Sequence, residues 1–161
     1  MHIYIIIIMS FDKTTWGNSV WYIFHSLAYK INESHFNEVK DDFIYIIKTV
    51  CSNLPCPECS NDAMNELNKV QFNNIKSKEE LKLLLFNFHN HINKKLNKPI
   101  FELSKLDDKY SKANLNAICN NFYIIFMSNS NIPQLMSASF HRKHNLPKIK
   151  IAIEKIISKC N

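Results

Sequence analysis

At 161 residues the chain has the length of one domain, and its 46% apolar and 21% charged residues read as a soluble globular protein, excluding disordered and membrane-spanning classes. The lone glycine, Gly17, argues against glycine-loop nucleotide folds and β-meanders, and so few breakers lean the chain to helix. The net charge of +6 is carried by lysine with one arginine, Arg142; arginine is the usual bidentate reader of bases and phosphates, so the basicity reads as a solvated surface and no nucleic-acid partner is expected.

At the N-terminus Ile3 to Ile8 is the one strongly apolar run. It is far shorter than the ~20 residues of a membrane span and lacks a basic flank and a cleavage site, so neither a span nor a signal peptide is expected. Met9 offers a second possible start. Thr14 or Thr15 can cap a first helix, in which Trp21, Phe24, His25, Ala28 and Tyr29 recur at the spacing of one helical face, to about Ile31. Asn32 to Ser34 reads as a turn. A second helix carries Phe36, Val39, Phe43, Ile46, Ile47 and Val50 on one stripe.

Cys51 to Pro55 breaks that helix, and Pro57 is placed as the first-turn proline of a third. Cys56, Cys59, Ala63 and Leu67 share a face there, which turns the thiols toward the interior. Ser77 and Glu80 fit a capping box that opens a fourth helix, to about Leu96. Its apolar arc is Leu81, Leu84, Leu85, Phe88, Ile92 and Leu96. Beside it runs a second arc, Phe86, His89, Asn90, Asn93 and Asn97, suited to hydrogen-bonding something flat and buried. Pro99 stops this helix. Residues 104–129 are compatible with a fifth helical segment, Asn129 to Pro133 breaks it, and Pro147 starts a last helix ending at Cys160. The pattern is all-α.

Five cysteines, Cys51, Cys56, Cys59, Cys119 and Cys160, are an odd number and too sparse for a disulfide scaffold. Cys56-Pro57-Glu58-Cys59 sits at a helix start, where unsatisfied N–H groups and the helix dipole favour thiolate. Three chemistries are open to it. A thioredoxin-type motif needs a strand before the helix, where helical periodicity stands instead. A structural zinc site from Cys51, Cys56, Cys59 and a histidine lacks a second close pair of ligands. A dithiol reducing a bound flavin needs flat aromatic contacts, His and Asn hydrogen bonds and a cation, which Trp21, His25, His89, Asn90, Asn93 and Lys98 could supply. Taken singly, Trp16 and Trp21 are more often core anchors than flavin contacts, and His25 is more often a satisfied interfacial histidine.

The order of these motifs resembles one family, the FAD-linked sulfhydryl oxidases of the Erv/ALR type. Gly17-Asn18-Ser19-Val20-Trp21-Tyr22-Ile23-Phe24-His25, Pro55-Cys56-Pro57-Glu58-Cys59 and His89-Asn90-His91-Ile92-Asn93-Lys94-Lys95-Leu96-Asn97-Lys98-Pro99 match its three motifs over about residues 15–110. The short core is most similar to members encoded by large DNA viruses. The resemblance implies a four-helix bundle enclosing FAD over residues 15–110; an N-terminal segment, residues 1–14, stands before it, and a helical extension, residues 111–161, is expected to pack on the same domain.

It further implies an enzyme, usually dimeric, that oxidises protein thiols, with a thioredoxin-like carrier among the candidate substrates, and passes electrons to oxygen, giving hydrogen peroxide. By position, Cys59 would lie against the flavin and Cys56 would exchange with substrate. Gly17, Trp21, His25, Tyr29, His89, Asn90, Asn93, Lys98, Lys109 and Tyr110 would bind FAD, and no metal is expected. The viral likeness implies the host cytoplasm, at the viral factory, or the virion. The competing reading is a non-enzymatic helical binding module with a zinc or partner-binding cysteine cluster.

Departures from the family pattern stand at Glu102, where a second disulfide would need cysteine, at Asn97, where glycine is usual, and at Asn18, where arginine is usual. Cys160 lies on a chain end, where relatives often carry a shuttle pair, but has no neighbouring cysteine. It is read as pairing with Cys119 or Cys51, or as acting across a dimer.

Overall fold

The computed structural model describes residues 12–127 and 133–161. The Ile3 to Ile8 run and most of the expected break at Asn129 to Pro133 lie outside the described residues. The described residues form seven α-helices and no strand: α1 (Lys13–Lys30), α2 (Phe36–Ser52), α3 (Pro57–Leu67), α4 (Lys78–Lys95), α5 (Leu106–Ser111), α6 (Leu115–Phe126) and α7 (Pro133–Ile157). None of these helices is long and apolar enough to cross a membrane.

Helix α1 starts two or three residues earlier than the threonines suggest. The Asp12 carboxylate accepts the Thr15 N–H at 2.7 Å, and a carboxylate at an N-cap also faces the positive end of the dipole, so it outcompetes a hydroxyl two or three residues on. Helix α3 is capped by sulfur: the Cys59 N–H donates to Cys56 Sγ at 3.2 Å, with Pro57 at the first helical position. At α4, Ser77 Oγ accepts the Glu80 N–H as expected, while the Glu80 carboxylate takes the Lys76 N–H, one residue before the cap.

The end of α4 sets the chain direction into the site. Asn97 has φ of 54°, the left-handed region, and its N–H donates to the Lys94 carbonyl while the Lys98 N–H donates to the Asn93 carbonyl at 2.8 Å. This pair of bonds closes the helix end. Asparagine is the side chain that tolerates this conformation best after glycine, which explains how Asn97 stands where the resemblance expects Gly. Lys98 is thereby fixed by its own backbone.

Two helical expectations change. Residues 104–129 do not make one segment: α5 ends at Ser111, and Asn114 caps α6 by accepting the Ala117 N–H at 3.1 Å. The Asn114 cap offers the backbone a new start, which the apolar spacing on either side conceals. Pro147 does not begin the last helix but lies inside α7. An interior proline costs about 3 kcal/mol, yet Leu146, Ile149, Ala152, Ile153 and Ile156 are all buried, and each large apolar side chain among them contributes roughly 1.5–3 kcal/mol. The stripe wins, and the proline ring sits on the exposed side.

One hydrophobic core unites α1 to α4 with α6 and α7. Helix α6 packs along α1, and α7 packs along α2. Phe122, Ile125 and Phe126 of α6 and Ile149, Ile153 and Ile156 of α7 are residues of that same core. Beyond α7 the chain end is strapped to α1: Ile31 and Cys160 form a β-bridge, and the Asn32 N–H donates to the Lys159 carbonyl at 3.0 Å. Lys82, buried between α4 and α5, reaches Asp107 at 2.7 Å and Glu79 at 3.0 Å, which holds α5 in place.

The Asn97 turn gives a direct test. Asn97→Val should lower unfolding free energy by about 1–2 kcal/mol, because a β-branched side chain is strained there, while Asn97→Gly should be neutral or stabilising. Urea unfolding with unchanged slope would measure both.

Candidate active site

The α2–α3 connection, Asn53 to Cys56, presents the dithiol. Asn53 Nδ2 donates to the Thr49 carbonyl at 2.8 Å, and the Leu54 N–H donates to Ser60 Oγ at 2.9 Å, so both ends of the connection are tied. Cys56 and Cys59 form a disulfide with Cα atoms 5.1 Å apart, both half-buried. Once reduced, Cys56 sits at the helix N-terminus with an N–H already directed at its sulfur, an arrangement that stabilises thiolate.

The disulfide opens on a cavity of about 160 Å³ enclosed by α1, α3 and α4. Its walls include Trp16, Gly17, Val20 and Trp21 from α1, Cys56, Cys59 and Ala63 from the dithiol helix, and Phe88, His89, Ile92 and Asn93 from α4. A dry cavity of about 150 Å³ holds one benzene ring, so the enclosed part admits the edge of a flat ring system and the rest of a larger ligand would lie along the mouth. That mouth is basic. Lys13, Lys95 and Lys98 line it against one carboxylate, Asp62, which is ion-paired to Lys95.

Trp21 and His89 in the cavity wall begin an aromatic column that crosses three helices. His89 stacks on Trp21 with centroids 4.0 Å apart and planes 11° apart. His25 Nε2 and His89 Nδ1 share a hydrogen bond of 3.1 Å, and Tyr110 of α5 stacks on the far face of His25 at 4.8 Å. Burial is the main force on both imidazoles. It drives His25 down to about 3, helped by His89 and Lys109, and His89 down to about 4, helped by Lys109 and Lys98. Both rings are therefore neutral near pH 7, and each offers one donor and one acceptor.

Of the residues expected to bind a cofactor, Gly17, Trp21, His89, Asn93 and Lys98 line the cavity together with Cys56 and Cys59. The other five lie elsewhere. His25 and Tyr110 stand behind the wall and support His89. Asn90 is consumed by the backbone of Phe101: its Nδ2 donates to that carbonyl at 3.0 Å and its Oδ1 accepts that N–H at 2.9 Å. It clamps the segment that follows Lys98 onto α4. Lys109 lies over the rings of Tyr22, Phe101 and Tyr110, and Tyr29 lies under Lys78 and Lys82.

Sequence reasoning missed Lys13 and left Trp16 as a core anchor. Lys13 is four residues before Gly17, one turn away on the same face, a relation hidden by starting α1 too late. Trp16 is 3% exposed and its indole N–H has no hydrogen-bond partner among the described residues. A buried donor left unpaired costs about 1–3 kcal/mol unless a ligand or water accepts from it. At Gly17 a Cβ would meet nothing within 4 Å, so the cavity is open there. An orphan donor, an open glycine, a flat Trp21–His89 wall and a basic mouth fit a planar ring system carrying phosphates, as FAD does.

The remaining cysteines are held as thiols. Burial pushes Cys51, which also lines the cavity, up to about 12, and Cys119 and Cys160 up to about 11. The expected pairing of Cys160 is not made: all three are free, and Cys160 Sγ donates to the Ile156 carbonyl at 3.4 Å. Among the described residues, no group of three or more His, Cys, Asp or Glu side chains could hold a metal ion.

The Erv1/Alr family profile matches residues 18–111. A putative FAD-linked sulfhydryl oxidase of Invertebrate iridescent virus 3 is 31% identical over 103 residues, covering 63% of this chain and 70% of the relative. An FAD-linked sulfhydryl oxidase of African swine fever virus (isolate Tick/Malawi/Lil 20-1/1983) is 30% identical over 103 residues, 64% of this chain and 86% of the relative. The FAD-linked sulfhydryl oxidase ERV1 of Arabidopsis thaliana is 27% identical over 100 residues, 62% of this chain and 52% of the relative. No solved structure matches.

The histidine pair predicts a pH dependence. Both folded values lie below the ordinary value of 6.5, so the unfolded chain binds more protons and stability is fully present above pH 6.5 and lost as pH falls toward about 4 and then 3. The slope is at most about 1.4 kcal/mol per pH unit for each ring. Urea unfolding at pH 7, 6 and 5 should show this decline, and replacing both histidines by glutamine should flatten it.

Proposed function

This chain belongs to the Erv1/Alr family, and we propose that it is an FAD-dependent thiol oxidase that makes disulfides in protein substrates through Cys56 and Cys59. The observation that carries this reading is the juxtaposition of a helix-start disulfide with the cavity bearing the orphan Trp16 N–H, the opening at Gly17 and the Trp21–His89 wall. The names of the viral relatives support both the cofactor and the reaction.

A substrate thiolate attacks Cys56 Sγ, the S–S bond breaks, and Cys59 leaves as thiolate. A second substrate thiol, once deprotonated, attacks the mixed disulfide, which releases the substrate disulfide and the Cys56 thiolate. The Cys59 N–H and the helix start stabilise that thiolate, making Cys56 a good leaving group in this second exchange. The dithiol now holds two electrons and Cys59 stands at the cavity. FAD held between Trp21, His89 and Lys98 would supply a two-electron acceptor for that pair, one that oxygen and two protons could restore with release of hydrogen peroxide.

The protein's part is placement. Trp21 and His89 give the ring system a flat face, Asn93 offers an amide, and neutral His25 fixes the tautomer of His89 through their shared bond. Lys98 and Lys13 would supply positive charge for the cofactor's phosphates. A protein substrate reaches Cys56 from the exposed Pro57–Glu58 side, and a thioredoxin-like carrier is such a substrate. The viral names of the relatives favour a viral setting, and the proposal extends to a homodimer in the viral factory of the host cytoplasm or in the virion.

Purified protein should show flavin absorption bands in the visible and consume oxygen with a dithiol. Cys59→Ser should keep the flavin and consume none, and Cys56→Ser should lose turnover with protein substrates. Colourless protein, or a near-normal rate in either variant, would sink the reading.

A further inference from the structure

The extension beyond residue 111 lies outside the family match, yet one of its side chains reaches the base of the dithiol loop. Arg142 of α7 is 1% exposed. Its Nη1 donates to the Asn53 carbonyl at 3.1 Å, its Nε to the Phe126 carbonyl at 3.2 Å, and its Nη2 to Ser139 Oγ at 2.9 Å. The guanidinium carbon lies 5.9 Å from the centre of the Trp16 ring. One planar group thus touches the residue that ends α2, the end of α6 and the ring that walls the cavity.

We propose that Arg142 is a positioning residue of the active site, fixing the Asn53–Cys56 connection and the Trp16 ring so that the Cys56–Cys59 pair faces the cavity in one place.

Three points carry the assignment. Asn53 is the C-cap of α2 and stands three residues before Cys56, so its carbonyl is the last fixed acceptor before the dithiol. The Asn53 amide bond to Thr49 and the Leu54 bond to Ser60 tie this connection to its own helices, whereas Arg142 ties it to a third element. A fork of rigid donors holds carbonyls of two different elements at fixed angles while its plane lies near a ring, whereas an ammonium group bonds as a point charge and fixes no such angles. Burial lowers the affinity of Arg142 for its proton, but a guanidinium starts so high that it stays charged.

The inference rests on the thiol oxidase reading, and the test separates the two. In the flavin-loaded Arg142→Lys variant, reduction of the flavin by a substrate dithiol should slow about ten- to a hundredfold, the scale of a misplacement near 1 Å. Reoxidation of chemically reduced flavin by oxygen, which does not use the dithiol, should be unchanged. Hydrogen exchange should rise across residues 53–60 and stay as in the parent across α4. In Arg142→Ala, millimolar guanidinium should restore part of the lost reduction rate; if that variant does not fold, Arg142→Lys decides alone. Unchanged reduction, an equal loss in both half-reactions, or exchange raised equally in α4 would overturn the proposal. Parent protein without flavin would instead remove the oxidase reading, and the exchange comparison, which needs no flavin, would still decide whether Arg142 positions the loop.

Discussion

The site depends on a helix that is packed on every side along its middle. Residues Ile23 to Ala28 of α1 are all buried, and six consecutive buried positions mean that the helix is enclosed on every side. Helices α4, α5 and α6 pack against it. Trp16, Gly17, Trp21 and His25 therefore project from a rod fixed in both translation and rotation, and the cavity inherits that rigidity. This also makes polar residues on α1 expensive. His25 is tolerated because His89 supplies its hydrogen bond, and Trp16 keeps an unpaired N–H at the edge of the cavity, where a ligand can accept it.

Charge is sorted by depth. Inside the wall, the imidazoles are neutral because burial and neighbouring lysines both oppose a proton. At the mouth, the ammonium groups of Lys13, Lys95 and Lys98 stay near water, where their charge costs little. A ligand that is flat and uncharged at one end and anionic at the other meets complementary surroundings along its whole length. The dithiol lines the same cavity, so a ligand held by both its ends is held beside the disulfide.

The parts of the site legible in the sequence are those whose logic is local. Trp21 and His25 are four residues apart, as are His89 and Asn93, so one turn of helix brings each pair together. The dithiol and its helix start are contiguous. What stayed hidden was competition and distance. Asp12 outcompeted Thr14 and Thr15 for the first cap, which moved Lys13 into the helix and onto the cavity. Asn90 reads as a ligand residue because it shares an arc with His89 and Asn93, but that arc cannot reveal that the Phe101 backbone, eleven residues on, bonds both the Nδ2 and the Oδ1 of its amide. Pro147 read as a helix start because a local cost is visible in sequence, whereas the buried stripe that outweighs it depends on α2.

The extension shows how far tertiary contacts can redirect a family core. Among twenty basic residues the chain has one arginine, and that residue is buried, 89 positions from the Asn53 carbonyl it bonds. A composition so biased toward lysine leaves few reasons for an arginine on the surface, where either cation is solvated equally well. Under Trp16, beside two carbonyls from different helices, the choice is constrained: the charge must be spread, planar and weakly hydrated to enter the core, and its donors must diverge at fixed angles. The same burial that makes α7 part of the core therefore makes its arginine part of the scaffold beneath the disulfide.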